Sequence, residues 1–124
     1  MAKSCADVVL DAALNYLKNN VTQECLCTAE PTTYAEATST FKVGIKTGLT
    51  SGSFTGPADG TVSGRKITVN QQSAIDVTPS GTATHIALCT GSVLLYVTTI
   101  TSQVVTAGNT ATIQAWEIEI VDPA

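Results

Sequence analysis

The stretch TATHIALCTGSVLLYVTT, residues 82–99, decides the fold class. Small or polar and larger apolar side chains alternate along residues 82–89, and residues 93–99 are again rich in β-branched and aromatic types. Between them, residues 90–92 read Thr-Gly-Ser, which is typical of a tight turn. This stretch therefore predicts a β-hairpin.

Similar patterns continue on both sides of the hairpin. They predict further strands at residues 22–28, 41–46, 66–70, 74–78, 103–106 and 110–121. Seven or eight short strands with turn signals between them are typical of an antiparallel β-sandwich or barrel-like domain. With 124 residues, the chain is expected to form one mainly β domain over residues 1–124, β-rich from residue 22 to 121.

The beginning of the chain has a different pattern and predicts one amphipathic helix at about residues 4–19. Ser4 and Asp7 have the spacing of a helix capping signal. A helical periodicity follows and predicts the apolar face that packs on the sheet: Val9, Ala12, Ala13, Tyr16 and Leu17, widened by Val8 and Leu10.

Glycine recurs every fourth residue between Gly44 and Gly64, and the residues between are mostly small or polar. This predicts a flexible Gly-rich loop at about residues 47–64. A loop of that length in a compact domain is commonly functional, so we expect it to contact a partner. Deletion of residues 52–60 should then remove binding and leave the domain folded.

Charged residues make up only 13% of the chain, against about 25% in ordinary domains. Thr and Ser, which together number 30, supply the polar surface instead. The six basic residues are scattered and the net charge is −4, which excludes a nucleic-acid-binding role. The apolar run at residues 93–97 is too short to cross a membrane, and the first residues lack the apolar core of a signal peptide.

Cysteine and histidine give little indication of chemistry. Cys25 and Cys27 are two residues apart, so on a strand both face the same side. Together with Cys5 and Cys89 they could hold zinc, but the spacing favours small core residues instead. His85 is the only histidine, and no nucleophile motif accompanies it. We therefore identify no catalytic, cofactor-binding or metal-binding residues.

The last predicted strand alternates two carboxylates with large apolar residues. Glu117 and Glu119 share one face, while Trp116, Ile118 and Ile120 share the other and are expected in the core. The glutamate face is expected to be solvated or to meet a basic partner. A lightly charged, hydroxyl-rich β surface is inexpensive to desolvate, which favours a structural or assembly protein over an enzyme.

Several segments, in order along nearly the whole chain, give it a resemblance to small virion proteins of tailed bacteriophages, described as head decoration or cement proteins. The segments are VVLDAALNYL (8–17), CTAEPTTYAEATST (27–40), SGRK (63–66), GTATH (81–85), TAGNT (106–110) and IVDPA (120–124). The chain departs from such sequences in its additional cysteines, Cys5 and Cys25.

The resemblance implies a non-enzymatic role at the exterior of a capsid, for a protein made in the bacterial cytoplasm. The implied partners are the major capsid protein and other copies of this chain, with a trimer as the expected oligomer. Two alternatives stay open: a tail or head–tail connector component, and a host-surface or glycan-binding module. The candidate contact segments are the N-terminal helix and the Gly-rich stretch at residues 48–64. The candidate contact residues are Gly52, Phe54, Gly56, Asp59, Gly60, Arg65, Lys66, Glu117 and Glu119.

Overall fold

The computed structural model describes residues 5–123 as one helix near the beginning followed by nine β-strands. The helix, α1, spans Asp7–Asn20. The strands are β1 Gln23–Cys27, β2 Lys42–Thr47, β3 Phe54–Asp59, β4 Arg65–Val69, β5 Gln72–Asp76, β6 Gly81–Cys89, β7 Leu94–Val105, β8 Thr110–Ile113 and β9 Trp116–Ile120. The prediction of a mainly β, sandwich-like domain with one helix is confirmed, with nine strands described in place of seven or eight.

The strands form three antiparallel sheets. Sheet 1 has the order β2-β1-β6-β7, sheet 2 the order β3-β4-β9, and sheet 3 pairs β5 with β8. The β6–β7 hairpin is the one predicted from the sequence, with Ile86 opposite Thr98 and Leu88 opposite Tyr96. Its register shifts between Ala83 and His85, so β7 bulges before its last residues.

Sheet 1 is covered on both faces. Leu14 of α1, Ile67 and Ile118 of sheet 2, and Leu88 of sheet 1 share one buried cluster. Sheet 3 closes the rest of that face through a second cluster that includes Leu26, Ile75, Ile86 and Ile113. On the opposite face, Cys25, Cys27 and Cys89 pack against Ala37 of the 31–41 segment, as expected for small core residues.

The prediction of a flexible loop at residues 47–64 was wrong over much of that range. A single helical turn at Ser51–Ser53 leads into β3, which pairs with β4 as Phe54 opposite Val69 and Asp59 opposite Arg65. Phe54 is 4% exposed and lies in the first core cluster. Deletion of residues 52–60 would therefore remove a strand and a core side chain, so we now expect it to unfold sheet 2.

The predicted packing face of α1 was correct at Leu10, which is buried, and at Leu17, which packs against the first core cluster, but wrong at the other positions. Leu10 and Leu14 face the interior, whereas Val9, Ala12, Ala13 and Tyr16 are exposed. The helix begins after Ala6, which makes no side-chain cap. The predicted cap, Ser4, lies outside the described residues.

Two predicted strand boundaries also change. Residues 103–105 are not a separate strand but the end of the twelve-residue β7. The long last strand predicted at residues 110–121 is divided into β8 and β9, which belong to different sheets. The division occurs at residues 114–115, where β8 leaves β5 and β9 joins β4.

Candidate interaction surfaces

Sheet 2 and its adjoining turns bring together the contact residues proposed from the sequence. Gly52 lies in the turn before β3, while Gly56 and Asp59 lie on β3 and Gly60 in the turn that follows. The other four are on β4 and β9: Arg65, Lys66, Glu117 and Glu119. Phe54 is buried and so is not available for contact.

Arg65 joins sheet 2 to α1. Its Nε donates to Asp11 Oδ1 at 2.8 Å, its Nη1 donates to Asp59 Oδ1 at 2.7 Å, and Asp7 Oδ2 lies 4.0 Å from Nη1. The hydrogen bond with Asp11 raises the pKa of Arg65 further, with a smaller contribution from Asp59. These carboxylates therefore have an internal partner and hold the helix against the strands.

The glutamate face of β9 also has internal partners. Lys66 Nζ lies 2.7 Å from Glu117 Oε2 and 3.0 Å from Thr61 Oγ1. Glu119 accepts hydrogen bonds from the backbone N–H groups of Thr61, at 2.6 Å, and Val62, at 3.1 Å. Burial tends to raise the pKa of Glu119, but these backbone hydrogen bonds lower it overall. The observed contacts of both glutamates therefore supply no argument for a basic docking partner.

A groove of about 840 Å³ opens between β7 and the β8–β9 segment. Leu26 and Ile86 of sheet 1 form part of its lining, together with residues 98–101 of β7 and residues 109–117 opposite. Among residues 5–123, Glu117 is the one charged residue that lines it. β7 is one of the two edge strands of sheet 1, so alternate backbone groups along it face away from β6. The groove therefore presents neutral side chains beside a sheet edge.

Trp116 lines this groove and connects it to a buried acid that the sequence analysis missed. Its indole Nε1 donates to Glu24 Oε2 at 2.9 Å, and its ring stacks on Tyr96 with centroids 5.9 Å apart. Glu24 is fully buried, and its Oε1 has no hydrogen-bond partner in the part of the chain that the structure describes. Burial raises the pKa of Glu24 to about 7, although the Trp116 hydrogen bond opposes the shift. The sequence feature that could have indicated this buried acid is the single glutamate at the start of the otherwise apolar segment ECLC, residues 24–27.

The thiols are free, and three of the four are buried. Hydrogen bonding with Cys89 and burial raise the pKa of Cys25, and burial raises the pKa of Cys27 to about 11. Cys5 is half-exposed. No cluster of three or more potential metal ligands occurs within residues 5–123. His85 is half-buried, and its Nδ1 lies 2.8 Å from Thr84 Oγ1.

The outward side of α1 is an exposed apolar surface. Val8, Val9 and Tyr16 are 72%, 58% and 57% exposed, and Ala12 and Ala13 are exposed between them. We call these five residues the outer face of α1. The charged residues of the helix are turned the other way, since Asp11 binds Arg65 and Lys18 Nζ donates to Gly56 O at 2.8 Å.

Comparisons with family models, with curated proteins and with solved structures found no match to this chain. None of the described helices has the length and apolar character needed to span a membrane.

Proposed function

We propose that this protein is a structural component of a tailed-phage virion, a cement protein that binds the outside of the head. It would bridge neighbouring major capsid subunits and act without a cofactor or catalytic residue. Binding only to the assembled shell would stabilise the shell by mass action. The resemblance along the sequence supports the assignment to a phage virion. The low charge of the exposed surface supports binding to other proteins of the capsid.

The observation that carries the proposal is the absence of charge from one continuous part of the chain. Residues 77–116, forty in number, include no Asp, Glu, Lys or Arg. They form β6, β7 and β8, and much of β7 is exposed. Burying an ion in an interface costs several kcal/mol unless it is paired, whereas neutral hydroxyls and amides need only a hydrogen bond. This surface is therefore suited to lasting contact with another protein.

Binding to expanded heads that lack the protein tests the role. We expect the wild-type chain to saturate such heads in many copies. Gln103→Glu places a charge on exposed β7 at the groove and should lower the affinity at least tenfold, by an unpaired charge at the contact. Gln71→Glu makes the same chemical change at an exposed residue between β4 and β5 and should bind as wild type does.

Failure of the wild-type protein to bind heads would contradict the cement role. A cryo-EM map of the virion separates it from the connector alternative by copy number. A cement protein occurs in hundreds of copies over the head, whereas a connector forms one small ring at the portal or tail. Equal loss of binding in both glutamine variants would contradict the assignment of β7 as the contact surface.

A glycan-binding module is the second candidate, and the position of Trp116 favours it. Trp116 lines the groove together with several threonines and Glu117, and this combination of an aromatic surface and hydroxyls suits a sugar ring. Trp116 is the only tryptophan, so its fluorescence reports on the groove directly. A saturable change in emission during titration with oligosaccharides would support this candidate, and unchanged emission would remove it.

A further inference from the structure

α1 differs from a usual surface helix because part of its apolar surface faces solvent. A surface helix normally turns its charges to solvent and its apolar stripe to the core. Here Leu10 and Leu14 occupy the core side, but a second apolar stripe, centred about 130° from them around the helix axis, faces solvent. At 100° per residue, Val9, Ala12, Ala13 and Tyr16 fall within a sector of about 100°. No charged residue of Asp7–Asn20 lies in that sector.

Internal contacts fix this orientation. Asp11 and Asp7 lie beside Arg65, and Lys18 binds the Gly56 carbonyl oxygen. Rotation of the helix to bury Val9 and Tyr16 would break these contacts and expose Leu14, which is now fully buried. The outer face is therefore held towards solvent by the rest of the fold.

We propose that the outer face of α1 is a self-association surface, at which α1 packs antiparallel against α1 of a second copy about a two-fold axis. This inference does not depend on the virion role. It specifies a two-fold contact in place of the trimer implied by the resemblance.

The spacing of the side chains makes the face complementary to itself. Val9 and Tyr16 are each 3.5 residues, about 5 Å, from the midpoint between Ala12 and Ala13. A two-fold axis through that midpoint places Tyr16 of each copy opposite Val9 of the other. The alanines at the centre allow the helix axes to approach to the short end of the usual 8–10 Å range. A two-fold contact of this kind uses the same patch on both subunits.

Charge and area set the expected strength of the contact between two copies. The chain has a net charge of −4, but the contact itself contains no carboxylate that would repel its counterpart. A helix of 14 residues is about 21 Å long, and one face of it covers less than the roughly 800 Å² per partner of a stable interface. We therefore expect a reversible dimer whose population depends on concentration.

Sedimentation equilibrium of the full chain tests the association. Between about 10 µM and 1 mM, the range of a weak complex, the wild-type weight-average mass should rise from monomer towards dimer. Ala12→Glu should raise the dissociation constant at least tenfold, because it buries an unpaired charge at the axis. Ala107→Glu, the same change at an exposed turn residue, should alter it less than twofold. A wild-type monomer at 1 mM, or a trimer, would overturn the proposal.

Disulfide crosslinking tests the antiparallel register, in a Cys5→Ser background that leaves only buried native thiols. When Val9→Cys and Tyr16→Cys proteins are mixed with oxidised glutathione, the mixed dimer should be the main crosslinked species. Ala12→Cys alone should also crosslink, because position 12 lies near the axis. Self-crosslinking of Val9→Cys as fast as the mixed pair would contradict the register, since two-fold pairing separates these positions by about 10 Å. Circular dichroism confirms that each variant is folded.

Discussion

Trp116 Nε1 and Glu24 Oε2, 92 residues apart in the chain, are joined by a hydrogen bond of 2.9 Å. Glu24 is on β1 of sheet 1, and Trp116 begins β9 of sheet 2, so this bond connects the two layers of the sandwich. Burial raises the pKa of the glutamate to about 7. The connection between the layers therefore includes an acid that titrates near neutral pH.

Stability should fall as the pH rises from about 4.5 to 7. The native pKa of Glu24, about 7, exceeds the unfolded value of 4.5, so the native state retains its proton while the unfolded state releases it. Glu24 thus favours unfolding progressively across this window. Glu24→Gln stays neutral and keeps an oxygen acceptor for Trp116. It should be more stable than wild type at pH 8, by up to roughly 3 kcal/mol for a shift of this size, and equal at pH 4.

Urea denaturation of both proteins at several pH values measures this difference, in which the contributions of the other titrating groups cancel. Native Trp116 fluorescence should also change with a midpoint near pH 7 in wild type and not in Glu24→Gln. A stability difference that is constant from pH 4 to 8 would contradict the shifted pKa.

Gly64→Ala should be strongly destabilising. Gly64 has a φ of +67°, and a Cβ at this position would overlap the backbone oxygen of Ile120. The left-handed backbone conformation should lower the free energy of unfolding by about 1–2 kcal/mol, and the displacement of β9 should lower it further. Gly48→Ala is the matched control, since Gly48 has a φ of +74° with open space around it. Thermal unfolding should show a clearly larger loss for Gly64→Ala, and equal losses would contradict the close approach.

One of the four cysteines should react rapidly with a thiol reagent in the native state. Cys5 is half-exposed, whereas the other three are buried, and burial raises the pKa of Cys27 to about 11. Labelling at pH 8, followed by mass spectrometry, should give one fast modification in wild type and none in Cys5→Ser. Unfolding in urea should release three further thiols. Fast modification of a second site in the native protein would show that the β1–β6 face is open.

Arg65→Ala should loosen α1 from sheet 2. It removes hydrogen bonds to Asp11 and Asp59 and leaves both carboxylates without this cation. Hydrogen exchange should accelerate in Asp7–Asn20 and in β3, with a lower thermal midpoint. Lys66→Ala, the neighbouring change, breaks the contact with Glu117 and should leave exchange in the helix unchanged. Equal exchange of the helix in both variants would contradict the role of Arg65.

The strands could be predicted because alternation is a local property of the chain. The β6–β7 hairpin and β1 lie close to their predicted positions for this reason. The division between β8 and β9 could not be seen, because residues 110–121 alternate without a glycine or proline. The bend there is set by pairing with two different strands, β5 and β4, which is a tertiary property. β3 was missed because Gly56 and Pro57 are poor strand formers.

The sequence could predict only in part which of the candidate contact residues lie close together. Glu117 and Glu119 were correctly placed on one face of β9, but their partners Lys66 and Thr61 lie more than fifty residues earlier. The face of α1 was misassigned in part, because the predicted face joined two apolar stripes and periodicity alone cannot choose between them. The orientation of the helix is fixed by Arg65, which lies 54 residues later in the chain and binds Asp11.

The order of the strands along the chain has a consequence for synthesis on the ribosome. β4 and β5 are made early, but their partners β9 and β8 come from residues 110–120. Sheets 2 and 3 therefore cannot form these pairs until that segment has left the ribosome exit tunnel. Until then the growing chain carries unpaired strand edges, which are the usual starting points of aggregation. Cells that make this protein at high levels should benefit from a chaperone that binds the nascent chain.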